Sequence, residues 1–137
     1  MNNRQLTIDD SLYHIDGRYL ICRAGINGDE YFRKAFDHAE YETLRNLSIK
    51  SIAPAPGGSD IVILLEMPRA GYKTDGNLLC VSDDGDILWW AELTDTGRDA
   101  YVELIVDPAS ITARTWQGYL CVISPTTGHI LSRSFTK

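Results

Sequence analysis

The phrase DGNLLCVSDDGDILWW (75–90) returns, loosely, as WQGYLCVISPTTGHILSR (116–133). Each copy sets an apolar, cysteine-bearing run before a polar turn that holds a glycine, then a second apolar run. Gly85 matches Gly128 and Cys80 matches Cys121, a beat of roughly forty residues. A more degenerate copy, DGRYLICRAGINGDEYFRKAF (16–36), places Gly17 before Cys22 and a turn at Gly28. A chain that repeats one hairpin phrase at this period is constrained to build similar sheets and stack them. One four-stranded sheet cannot bury both of its faces alone, whereas neighbouring copies bury each other's.

The rest of the chain agrees with strands. IKSIAPA (49–55) and DIVILLEM (60–67) flank PGGS, and YVELIVD (101–107) leads through PAS into ITARTW (111–116). Nearly every turn carries Gly, Pro, Asn or Asp, which supply a positive or preset φ where the chain reverses. Only HAEYETLRNL (38–47) reads as helical: Tyr41, Leu44 and Leu47 recur at helical spacing, and Thr43 is its one β-branched residue. The expected architecture is all-β: stacked antiparallel, blade-like sheets joined by one short connecting helix. As one domain over 1–137, its units run over about 5–38, 48–93 and 99–137.

The phrases DGNLLCVSDDGDILWW and GYLCVISPTTGHIL resemble the blade repeat of the quinoprotein (PQQ-type) propellers, in which a strand, a glycine after a polar turn and a strand ending in Trp follow one another. Gly85 with Trp89 fits that pattern; Gly128 fits too, but Ser132 stands where the Trp belongs. The resemblance implies strand order within each unit. It carries over no quinone or metal site, because no residues here match one, and no cofactor is expected. Three units are fewer than the four to eight that close a propeller. An open arc, a ring completed by a second chain in a homo-oligomer, and a β-sandwich of the same hairpins all satisfy the pattern.

Composition narrows the chemistry. With 19 acidic against 13 basic residues the net charge is −6, and Lys and Arg are scattered singly, so neither nucleic acid nor an anionic membrane is an expected partner. A basic protein is. The polar start MNNRQLTIDD lacks the apolar middle of a secretory signal, and the longest apolar run, IVILL (61–65), is far too short to span a bilayer. The expected compartment is the cytoplasm. Cys22, Cys80 and Cys121 each lie within an apolar run and read as small buried hydrophobes rather than a disulfide framework.

Catalytic and metal-binding patterns fail one after another. His14, His38 and His129 have no partners at metal-ligand spacing. Ser59 in GGSDI lacks the second glycine of a nucleophile elbow and reads as a turn serine. AGING (24–28) lacks the Lys and Ser/Thr of a phosphate loop. SDDGD, with Asp83, Asp84 and Asp86, is too short for a calcium loop, and Asp before Gly is what a tight hairpin requires. The sequence therefore points away from an enzyme.

Trp89 and Trp90 are adjacent on a strand and so face opposite sides. If both faces are covered, both rings are core; otherwise Trp90, by the repeat, is the exposed anchor for a partner. Arg133 is its counterpart in the last unit. The acidic turns at Asp83, Asp84 and Asp86, and at Asp95 and Asp99, would form the rim. Together these features favour a non-enzymatic protein-binding module, in its most concrete form a bacterial immunity-type protein neutralising a basic toxin domain. Two alternatives stay open: a small-ligand binder or hydrolase with a pocket at the sheet ends, and a structural subunit of a larger assembly.

Overall fold

Val, Ile, Leu and aromatic residues crowd short runs between turn formers, and those runs become strands. The computed structural model describes residues 6–8, 11–16, 19–25, 28–35, 48–66, 77–93 and 99–135. Among the described residues there are twelve strands and no helix. Sheet 1 holds β1 (Leu6–Ile8), β2 (Ser11–Asp16), β3 (Tyr19–Arg23) and β4 (Glu30–Ala35). Sheet 2 holds β5 (Ser48–Pro54), β6 (Ile61–Glu66), β7 (Leu78–Val81) and β8 (Ile87–Trp90). Sheet 3 holds β9 (Tyr101–Val106), β10 (Ile111–Thr115), β11 (Tyr119–Ile123) and β12 (Ile130–Phe135). Each is an antiparallel meander in which strands neighbour one another in chain order. The all-β, stacked antiparallel expectation holds. The helix read over 38–47 lies outside the described residues.

Sheet 2 explains its own sequence. Along β6 and β7, Ile61, Ile63, Leu65, Leu79 and Val81 face sheet 1, meeting Tyr13, Ile15, Leu20, Cys22 and Phe32. The intervening residues Val62, Leu64, Leu78 and Cys80 face sheet 3, meeting Tyr101, Ile111, Ala113, Cys121 and Ile123. Because successive strand residues alternate between faces, a strand buried on both sides reads as an unbroken apolar run, which is why IVILL carries no polar residue. Each fully buried aliphatic side chain contributes about 1.5–3 kcal/mol.

One buried amide ties sheet 2 to sheet 3. Asn77, fully buried, donates from Nδ2 to the Leu65 carbonyl at 2.9 Å and to the Tyr101 carbonyl at 2.7 Å. Its Oδ1 accepts the Tyr101 N–H at 2.9 Å. A polar side chain in this core is tolerable because its hydrogen-bonding groups are met.

The repeat also reads differently in three dimensions than along the chain. Cys22 pairs across strands with Phe32, Cys80 with Trp89, and Val122 with Ser132. Cys121 instead lies opposite Arg133 and turns back toward sheet 2. Thus Val122, not Cys121, occupies the place that Cys80 holds in its sheet. The hairpin after Cys80 is shorter than the one after Val122: the Ser82 N–H bonds the Asp86 carbonyl, whereas the Ser124 N–H reaches the His129 carbonyl. Sheet 1 closes its corresponding turn as sheet 3 does, Ala24 N–H to the Asp29 carbonyl.

Candidate interaction surface

The turn between β7 and β8 carries Asp83, Asp84 and Asp86, all exposed, and it is held from two sides. From within, the Gly85 N–H donates to the Ser82 carbonyl at 2.9 Å, and Ser82 Oγ accepts the N–H groups of Asp84 and Asp86 at 3.3 and 3.1 Å. From outside, Phe32 of sheet 1 presses on Gly85. With φ at +89°, a β-carbon there would lie 2.5 Å from Phe32 Cδ1, so glycine is required twice over. Lys34 pairs with Asp86 at 3.3 Å, a surface contact of about 0–1 kcal/mol, while Asp83 and Asp84 project into solvent. The result is a rigid acidic tip.

The turn between β11 and β12 repeats the device. Ser124 Oγ accepts the N–H groups of Thr126 and Thr127 at 3.2 and 3.3 Å. Trp89 lies against Gly128, and its Nε1–H donates to the Pro125 carbonyl at 3.0 Å. So each of the first two sheets sends an aromatic ring from its fourth strand onto a glycine turn of the next.

The other residues expected at the surface are distributed differently. Trp90 is half-buried and packs on the core between sheets 1 and 2. Both tryptophans therefore lie between sheets, and Trp90 is not a free anchor. Asp99 is only 3% exposed and its Oδ1 accepts the N–H groups of Ala100 and Gln117 at 2.9 and 3.0 Å; it is a fastener inside the fold, not part of an acidic rim. Asp95 lies outside the described residues. Arg133 is exposed on β12, its guanidinium 5.3 Å from the Tyr119 ring centroid. At the matching place in sheet 1, Arg33 stands 5.5 Å over Tyr19. Of the expected set, Asp83, Asp84 and Asp86 share one turn; Arg133 belongs to another sheet.

Sequence reasoning passed over Trp116. It sits in the turn between β10 and β11 and is 58% exposed. The turn is fixed by Trp116 N–H to the Ala100 carbonyl at 2.8 Å, Gly118 N–H to the Thr115 carbonyl at 3.0 Å, and the Asp99 contact to Gln117. The signal was present in TWQG, a large aromatic placed beside turn-forming Gln-Gly rather than within a strand. Among the described residues, no three His, Cys, Asp or Glu side chains gather as a metal ion would require.

The cysteines are free and buried. Burial pushes the Cys80 thiol up to about 12 and raises Cys22 and Cys121 as well, which suppresses the reactive thiolate. Burial likewise raises the Tyr101 phenol, whose hydroxyl donates to the Glu92 carbonyl.

Comparison with known proteins supports the architecture. The solved structures similar to this chain include the computationally designed Ika8 protein, with 12% identity and a TM-score of 0.60 over 97% of this chain and 36% of that one. The WD40 domain of Neurospora crassa Pan2 shares 16% identity at a TM-score of 0.60, over 97% of this chain and 35% of that one. BamB from Moraxella catarrhalis shares 18% identity at 0.60, over 98% of this chain and 34% of that one. WD40 domains are β-propellers, and BamB is a PQQ-like one, so the three sheets are arranged as propeller blades are. This chain spans about a third of the length of each of these structures. No curated protein matches it. A family model does match residues 49–135, which carry sheets 2 and 3, and the chain belongs to that family, described as "Domain of unknown function (DUF7957)".

Proposed function

We propose that this protein is a non-enzymatic protein-binding module that presents a preorganised acidic turn to a basic partner. The observation that carries the reading is the β7–β8 turn. Asp83 and Asp84 stand in solvent on a backbone already fixed by Ser82 and by Phe32 against Gly85, so little ordering entropy remains to be lost on binding. The net charge of −6 adds long-range attraction for a cationic protein and speeds its capture. The most specific form of this reading is an immunity-type protein that neutralises a basic toxin domain, acting in the cytoplasm where buried thiols stay reduced. The blade arrangement of the sheets is consistent with the quinoprotein-like repeat without requiring its cofactor.

The test is affinity capture at low ionic strength with the wild-type protein beside the Asp83→Lys/Asp84→Lys double variant. A basic protein retained by the wild type, lost from the variant and eluted by moderate salt is the expected result. Retention that is indifferent to both the substitutions and salt would remove the acidic turn from the contact, and no basic protein retained would remove the reading itself.

A further inference from the structure

The lock that joins sheets 1, 2 and 3 stops at sheet 3. Phe32 docks on Gly85 and Trp89 docks on Gly128, and each ring stands cross-strand from a buried cysteine, Cys22 or Cys80. The corresponding place on β12, cross-strand from Val122, is held by Ser132, which is exposed. At that place the third sheet offers no ring to a following sheet; the exposed ring of β12, Phe135, stands opposite Tyr119 instead.

The surrounding face agrees. The residues of sheet 3 directed away from sheet 2 form two cross-strand rows, Ile105–Thr112–Val122–Ser132 and Glu103–Arg114–Leu120–Ser134. Three aliphatic side chains are thus broken up by hydroxyls and by the Arg114–Glu103 ion pair, 2.9 Å between Nε and Oε1. The equivalent face of sheet 2, turned toward sheet 3, presents Val62, Leu64, Leu78, Cys80 and Trp89. Covering the sheet 3 face with another sheet would strip water from both charges, a desolvation that the pair's own attraction often fails to offset. Repeat stacks that end in solvent need just such a terminal unit with a polar outer side.

We infer that sheet 3 is a terminal cap. Its outer face stays in water and takes neither a further copy of this chain nor a further sheet locked as these three are, so the protein works as an open arc. This stands apart from the acidic-turn reading, since either can fail alone.

Light scattering on the eluting protein across micromolar concentrations, with wild type and Ile105→Lys compared, tests it. Ile105 is 51% exposed on β9, at one edge of that face. The expected result is that Ile105→Lys leaves the mass unchanged and moves the melting midpoint by less than about 3 °C, as at an uncovered position. A wild-type assembly that Ile105→Lys dissociates, or a fall in midpoint beyond that limit, would overturn the cap. An assembly whose mass the substitution leaves untouched uses another surface and supports it.

Discussion

Trp89 lies so close to Gly128 that a β-carbon on the glycine would fall 2.6 Å from the indole Cε3. Gly128 also holds φ at +80°, a conformation that residues with a β-carbon rarely adopt. Gly128→Ala should thus combine backbone strain with overpacking and cost about 2–4 kcal/mol. Gly57, at φ +73° with nothing within 4 Å of the point a β-carbon would occupy, carries the strain alone, so Gly57→Ala should cost about 1–2 kcal/mol. Urea denaturation of the two variants separates the terms; equal losses would mean that the ring contact contributes nothing.

Asn77 gives a second test. Asn77→Leu keeps the branched outline, with bulkier methyl groups, but removes the amide that bonds the Leu65 carbonyl and the Tyr101 N–H and carbonyl. Leaving buried backbone groups unsatisfied costs about 1–3 kcal/mol each, so the variant should lose several kcal/mol despite its greater hydrophobicity. A variant as stable as wild type in guanidinium would show that the amide is dispensable.

Acid should act on the turn between β9 and β10. Asp107 Oδ1 accepts the N–H groups of Ala109 and Ser110 at 2.8 and 2.9 Å and its Oδ2 accepts the Ser110 hydroxyl at 3.1 Å; the Ala109 N–H first, then the Ser110 hydroxyl, hold its pKa below the ordinary 3.8. Since the folded value is the depressed one, its contribution is complete above about pH 3.8 and fades as pH falls through the lower folded value. Asp107→Asn should therefore flatten the acid side of the stability profile and leave the neutral side parallel to wild type. Parallel curves throughout would deny the linkage.

The thiols can be titrated directly. With Cys80 raised to about 12 and Cys22 and Cys121 raised too, the native protein should react very slowly with a disulfide reagent at neutral pH. All three cysteines should become reactive once it is unfolded. Rapid labelling of one native thiol would place that cysteine in an exposed, electropositive setting instead.

Much of this fold was legible because turn chemistry is local. Gly85 and Gly128 announce positive φ, and IVILL announces a strand buried on both faces. What stayed hidden was non-local. Cys80 and Cys121 look equivalent in the one-dimensional phrase, yet the longer turn before Gly128 shifts the frame and hands the place to Val122. Asp99 reads as a loop acid, and only the distant Gln117 N–H reveals it as a buried acceptor. Trp90 resembles an exposed anchor until sheet 1 covers it. In the candidate site, the acids of 83–86 could be picked out by composition, but the rigidity that makes their tip useful depends on Phe32, far back in the chain.

Sheet 2 has no solvent side. Cut away sheet 1, and Ile61, Ile63, Leu65, Leu79 and Val81 would meet water together, an oily plane far more apt to aggregate than to stay dissolved. The portion that matches the family model, 49–135, begins just past that boundary. In this protein the family's sheets consequently rely on the stretch ahead of them as a permanent chaperoning wall.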